Sequence, residues 1–227
     1  MGQYYKPILL KEDKKSIDLH FHPIHYDNGM KLMEHSYIGN ALVGAAEYFI
    51  EDDPCNIVWA GDYADNEPNI DDNLYGIASC DEYEPQCMTP QYIGKKQKKG
   101  MNYVLKMFCK TSKRTRYIIN HSKKQFVDKT KCPILNDKYK MIIHPLPLLT
   151  ADGNGRGGGD YRGNNETLVG TWARDYIEVS TSTPPADYTE IIPNFMWYGY
   201  EYIVNDTIVE CKEPKKRIKS VLVKSTH

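Results

Sequence analysis

Short apolar runs separated by polar turns recur along the chain, and this pattern constrains the fold most. QYYKPILL and SIDLHFH flank the turn KEDKK, CNIVWAG ends at GDYAD, and RYIINHSKKQFVDK has the form strand, polar turn, strand. Such runs, rich in β-branched and aromatic residues, are typical of antiparallel strands. YKMIIHPLPLL predicts a further strand, with Pro145 and Pro147 at its edge or end.

One segment has helical periodicity instead. From Lys31 to about Ile50, apolar residues recur at steps of three and four, which predicts a helix. Gly39 and Gly44 weaken it, and either let it approach a sheet closely or break it into two pieces. We therefore predict an α+β fold of mostly antiparallel sheet, with one main helix near residues 31–50 and a long glycine-rich loop.

The composition fits a single globular domain over residues 1–227, with a subdivision near residues 90–100 as the alternative. Hydrophobic residues make up 41% of the chain, enough for a sizeable core. The net charge of -1 gives no overall field toward nucleic acid or anionic membranes. We expect no membrane partner, and nucleic acid is the less favoured partner.

The six cysteines are irregularly spaced and include no CxxC pair, which argues against a zinc ribbon or a thioredoxin-type site. The first residues, MGQYYKPILLKEDKK, lack a basic region followed by an apolar one, so no signal peptide is predicted. We expect reduced thiols, a cytoplasmic protein (the host cytoplasm if phage-encoded) and no cofactor.

The segment TADGNGRGGGDYRG, residues 150–163, is the strongest candidate for a ligand site. Its G-x-G-x-x-G spacing lacks a convincing following helix, so a dinucleotide-binding fold is not predicted. Glycines still permit close backbone approach, successive N–H groups can bind an anion, and arginine adds a guanidinium. The predicted ligand-binding residues are Gly153, Asn154, Gly155, Arg156, Gly157, Gly158, Asp160, Tyr161 and Arg162. The alternative is a solvated hairpin tip without a binding role.

HFHPIHYD supplies candidate metal ligands. On a strand His20 and His22 would share one face, because side chains repeat every two residues. HxH without a fixed partner is a weak metal signal, so we predict no metal site. The runner-up ligand set is His20, His22, His25 and Asp27.

Two further positions carry charges that could serve a site. Asp62 lies just past a predicted strand end, where α/β enzymes often keep acids. Arg174 and Asp175 are neighbours in sequence, but adjacent strand residues face opposite ways, so no mutual salt bridge is predicted.

Charge is segregated along the chain. Residues 51–84 contain acids and no lysine or arginine, and the sign reverses from Lys95 to Lys140. Basic residues interleaved with aromatics can bind single-stranded nucleic acid. Because the whole chain is neutral, the favoured interpretation is a solvated face, or one that meets the acidic half.

Several motifs together resemble an uncharacterised protein family of bacteria and their phages, over most of the chain to about Asp175. They are MGQYYKP, GMKLMEHSYIGN, VWAGDYAD, INHSKKQFVD, and HPLPLLTADGNGRGGGDYRG followed by VGTWARD. The resemblance implies a bacterial or phage setting. It brings no known activity, so it assigns no functional residue.

Three functional hypotheses follow. The first is a protein that binds a small anionic ligand such as a nucleotide; encoded by a phage, it would sequester a host signalling nucleotide. The second is a metal-dependent hydrolase or nuclease that uses the histidines, Asp27 or Asp62. The third is a non-enzymatic protein whose acidic and basic halves pair between subunits.

The first hypothesis predicts the effect of Arg156→Ala. Loss of one charge-assisted hydrogen bond should weaken anion binding by roughly one to two decades. Thermal stability should barely change, because an exposed loop side chain supports little packing. A thermal-shift screen of nucleotides and other phosphates measures both quantities. An equal response of variant and wild type would contradict the prediction.

Overall fold

The structure, a computed structural model, describes residues 2–51, 53–153 and 168–212. Its strands are β1 Tyr5–Leu10, β2 Ile17–His20, β3 Cys55–Gly61, β4 Tyr117–Asn120, β5 Gln125–Asp128, β6 Ile134–Leu135, β7 Ala151–Asp152, β8 Tyr176–Ser180, β9 Thr189–Glu190, β10 Glu201–Val204 and β11 Thr207–Glu210. Its α-helices are α1 Leu32–His35, α2 Ala41–Ile50, α3 Leu74–Ile77, α4 Pro90–Gln97, α5 Met101–Arg114 and α6 Pro145–Leu149. Short 3-10 helices cover Pro23–Tyr26, Asp81–Gln86 and Lys129–Lys131.

The large sheet has the order β2-β1-β3-β8-β4-β5-β9, and β7 pairs with the end of β3. Its neighbours are antiparallel except for β5–β9 and β3–β7, which are parallel. A smaller antiparallel sheet has the order β11-β10-β6. The predicted α+β fold with a mostly antiparallel sheet is confirmed, and so are the β1–β2 and β4–β5 hairpins.

The central strands β1 and β3 are buried on both faces of the sheet. On β3, Ile57 and Trp59 belong to the main apolar cluster with α2 and α5, and Val58 belongs to a smaller cluster with Leu74 and Ala78 at α3. Successive strand residues point to opposite faces, so each strand serves both clusters. The sheet therefore separates α2 and α5 from α3.

The predicted main helix near residues 31–50 forms as two helices, α1 and α2. Gly39 between them has a φ of +93°, a backbone conformation that glycine adopts without steric cost. The side chain of Asn40 then caps α2 by accepting hydrogen bonds from the N–H groups of Leu42 and Val43. Of the two outcomes expected from the glycines, Gly39 produces the break.

Gly44 instead lets α2 approach a neighbouring element closely, and that element is the helix α5 rather than the sheet. A Cβ at this position would overlap the backbone carbonyl of Phe108 on α5. At 14 residues, α5 is longer than α2, and the sequence analysis did not predict it.

The predicted strand ending at Pro145 and Pro147 is wrong in its second half. The chain forms the short helix α6 from Pro145 onward, and the His144 side chain caps it by accepting from the Leu146 N–H. Proline suits the first turn of a helix because that turn has no backbone acceptor for its missing N–H. Two isolated antiparallel bridges remain of the strand, Tyr37 with Ile143 and Ile134 with Ile142.

A buried carboxylate joins α2 to three other parts of the chain. One oxygen of Glu47, Oε1, accepts hydrogen bonds from Lys129 Nζ at 2.7 Å, His144 Nε2 at 3.0 Å and Thr115 Oγ1 at 3.2 Å. Burial alone would raise the pKa of Glu47, but the Lys129 ammonium and the His144 hydrogen bond hold it below its usual value.

His35 on α1 connects this helix to β3. Its Nε2 accepts from the indole N–H of Trp59 at 2.9 Å, so its Nδ1 carries the proton and donates to the Gly29 carbonyl at 3.1 Å. Both ring nitrogens are therefore used by the neutral imidazole. Burial lowers the pKa of His35 to about 4.

Within the described residues, no helix has both the length and the apolar character needed to cross a membrane. All six cysteines are free thiols, and three of them are buried. Burial raises the pKa of Cys55 and of Cys132 to about 12, so both remain protonated at neutral pH.

Gly44→Ala should destabilise the protein by about 1–3 kcal/mol, because the added Cβ meets a backbone atom that can move only with α5. This loss should occur although alanine favours an isolated helix by about 1 kcal/mol. Urea unfolding measures it. Gly100→Ala is the control for an added Cβ with no neighbour within 4 Å; because Gly100 is the N-cap of α5, it should itself cost less than about 1 kcal/mol. Equal stability of the two variants would contradict the proposed contact.

His35→Gln should flatten the dependence of stability on pH. The folded-state pKa lies below the unfolded value, so the unfolded chain binds the extra proton and stability falls as pH drops from about 6.5 to 4. In His35→Gln, the free energy of unfolding should therefore decrease by about 3 kcal/mol less than in wild type over this pH range. Urea unfolding at several pH values measures it.

Glutamine is chosen because it can still accept from Trp59 and donate to Gly29. The other histidines with lowered pKa values, His20, His22 and His144, are present in both proteins and cancel in the difference. If the free energy of unfolding fell equally with decreasing pH in wild type and variant, this role of His35 would be ruled out.

Candidate functional site

The glycine-rich segment lies almost entirely outside the described residues. Gly153 is described: it is buried and directly follows β7. The other predicted ligand-binding residues fall within 154–167 and outside the described part of the chain: Asn154, Gly155, Arg156, Gly157, Gly158, Asp160, Tyr161 and Arg162. The anion-binding interpretation of this loop stays a prediction.

Arg174 and Asp175 take different partners, but strand alternation is not the reason, because β8 begins only at Tyr176 and Arg174 lies in a turn with a φ of +65°. The guanidinium of Arg174 binds both carboxylate oxygens of Glu67, while Asp175 accepts from Lys123 Nζ at 2.5 Å and Asn120 Nδ2 at 2.8 Å. Asp62 accepts from the backbone N–H of Tyr4 at 3.0 Å. These contacts tie loops to the sheet and do not gather the three residues in one site.

The structure does not place the four runner-up metal ligands together. β2 ends at His20, and His22 caps the following 3-10 helix by accepting from the Ile24 N–H, so the two imidazoles do not share a strand face. His25 stacks edge-on against His22 with ring centroids 5.9 Å apart, and Asp27 ends the 3-10 helix with a φ of +55°. No group of three or more His, Cys, Asp or Glu within the described ranges is positioned to hold a metal ion.

Burial sets the protonation of His20 and His22. It lowers the pKa of His22 to about 4 and also lowers the pKa of His20. His20 uses Nε2 to bind the Tyr83 carbonyl at 2.9 Å, while its Nδ1 has no hydrogen-bond partner among the described residues. Both imidazoles are therefore neutral near pH 7.

A groove between α2 and α5 has the features of a ligand site. Its volume is about 390 Å³, within the range of small-molecule sites. The residues that line it are Tyr48, Tyr103, Lys106, Met107, Lys110, Thr111 and Arg114. Helical periodicity explains the set, because Val104, Phe108 and Thr111 face the core while Tyr103, Lys106 and Lys110 are exposed.

The groove is electropositive. Lys106 and Lys110 lie one helical turn apart, and neither forms an ion pair with any residue that the structure describes. Arg114, one turn further, binds Glu51 through two hydrogen bonds of 2.5 and 2.6 Å. The surrounding sequence adds no counter-charge, because residues 85–127 contain no aspartate or glutamate. Two ammonium groups therefore remain for an anion from outside.

Two tyrosine rings border these lysines. Tyr48 packs edge-on against Phe108 at 5.6 Å between centroids, and its hydroxyl accepts from Gln97 Nε2 at 3.1 Å. Tyr103 is 54% exposed, with Lys99 Nζ 5.0 Å from its ring centre. One ring is thus held in place and the other is open to solvent.

A second group that sequence reasoning missed is formed by His121, Glu178 and Tyr188. His121 Nε2 is 2.8 Å from Glu178 Oε2, and its Nδ1 is 3.0 Å from the Tyr188 hydroxyl. A carboxylate that orients an imidazole toward a hydroxyl is an arrangement used in acid–base catalysis. Long sequence separation hides it, because the three residues belong to the β4–β5 turn, β8 and the segment before β9.

No protein-family model, no curated protein and no solved structure matches this chain. The resemblance to the bacterial and phage family stays a prediction, and the functional argument rests on the geometry of the groove.

Proposed function

We propose that the protein binds a small anionic ligand of the nucleotide class in the groove between α2 and α5. The observation that carries this proposal is the pair Lys106 and Lys110, two exposed ammonium groups on one helix face that lack a carboxylate partner within the described residues. The ligand class matches the first hypothesis from the sequence, although the site is a different one.

Electrostatics favours a phosphate group at this position. Like charges at i and i+4 destabilise a helix slightly, and a bound phosphate would relieve that repulsion. Lysine binds phosphate as a point charge, and its hydrogen bonds to phosphate oxygens are charge-assisted. Arg114 is a weaker candidate because Glu51 already occupies its guanidinium.

The tyrosines favour a ligand that also has a planar part. Base–aromatic stacking contributes about 1–3 kcal/mol per base and does not depend on the identity of the base. Tyr103 exposes its ring beside Lys106, and Tyr48 forms the opposite wall on α2. A groove of about 390 Å³ suits one nucleotide better than a nucleic acid strand.

The test compares Lys106→Gln/Lys110→Gln with wild type by calorimetric titration of ADP, pyrophosphate and adenosine. Wild type should bind ADP and pyrophosphate, and the double variant should bind both at least about tenfold more weakly, because each charge-assisted hydrogen bond contributes about 1.5–3 kcal/mol. Adenosine should bind weakly to either protein.

Lys11→Gln/Lys15→Gln is the charge-matched control, since both lysines are exposed in the β1–β2 turn and lie outside the groove. Tyr103→Leu should weaken ADP binding while leaving pyrophosphate binding unchanged. Wild type that binds neither phosphate, or equal losses in the two double variants, would refute the groove as the site. Arg156→Ala in parallel reports separately on the glycine-rich segment.

A further inference from the structure

A second pocket, of about 300 Å³, lies against the smaller sheet and has the opposite character. Five aromatic side chains and one carboxylate line it: Tyr37, Tyr139, Trp197, Tyr200, Tyr202 and Asp137. The remaining lining residues are methionines and aliphatic residues. No lysine or arginine of the described chain lines this pocket, in contrast to the groove on α5.

The aromatic side chains that line this pocket include a buried ring and two exposed ones. Tyr202 on β10 is fully buried, and its hydroxyl accepts from the backbone N–H of Trp197 at 3.0 Å. Tyr139 and Tyr200 are 74% and 45% exposed, so they form the mouth of the pocket. Large exposed aromatic surface next to a cavity indicates a binding site more often than a scattered surface residue does.

Among the described residues, Asp137 supplies the only formal charge of the lining. Its Oδ1 accepts from the backbone N–H groups of Tyr139 and Lys140, which fixes the carboxylate beside the aromatic rings. It forms no ion pair with any described residue, and the ammonium of Lys140 instead binds the Asn136 side chain at 3.1 Å. The carboxylate thus remains available to a cation.

We propose that this pocket binds a small organic cation that carries a methylated ammonium group. Aromatic faces attract such cations through their quadrupoles, and methyl groups gain apolar contact with the same rings. A neutral apolar ligand would leave the charge of Asp137 without a role, and an anion would be repelled by it. The compact volume favours a small molecule as the occupant.

The probe is choline, and its matched control is 3,3-dimethyl-1-butanol, which has the same shape without the charge. Calorimetric titration or ligand-observed NMR on the full chain should show saturable choline binding. The neutral isostere should bind at least about fivefold more weakly, the difference expected for cation–π contacts.

Tyr139→Leu and Tyr200→Leu keep apolar surface but remove a ring face, so each should weaken choline binding and leave the isostere unaffected. Asp137→Asn should do the same, because its amide oxygen can still accept from the Tyr139 and Lys140 N–H groups. Tyr103→Leu, in the groove on α5, should leave choline binding unchanged. Equal affinity for choline and the isostere, or no choline binding by wild type, would overturn the proposal.

Discussion

The position of α2 depends on the buried carboxylate of Glu47. A single oxygen of this group receives hydrogen bonds from Lys129 after β5, from His144 before α6 and from Thr115 after α5. Removal of one partner from a buried ion pair typically costs about 3–5 kcal/mol, because the other charge is left uncompensated in the interior. None of these elements can therefore shift without the others, and α2 and α5 stay in a fixed relation.

The groove is a direct outcome of that fixed relation. Glu47 points into the core while Tyr48, the next residue, reaches the surface, because successive helical residues are rotated by about 100°. On α5 the same rotation separates Phe108 in the core from Lys106 and Lys110 outside. Gly44 then brings the two helices close enough for their exposed side chains to line one groove.

The sequence predicted what is local and missed what depends on distant contacts. The β4–β5 hairpin and β3 follow from runs of apolar residues bounded by turns, and they form as expected. The helix α5 was not predicted because its segment was interpreted as a charged, solvated face, although Val104, Phe108 and Thr111 recur at helical spacing. The groove unites Tyr48 with Lys106, and nothing in one sequence reports that two distant segments pack together.

The sheet, which has an apolar cluster on each face, also separates basic residues from acidic ones. The lysines of α4 and α5 lie on the side of the larger cluster, whereas the acids around α3 lie on the side of the smaller one. Among the described residues, charges of opposite sign therefore lie on the two sides of the sheet. The fields of these two sides reach about 10 Å from the surface at 0.1 M salt and further in dilute buffer, so each side acts on a charged molecule before contact.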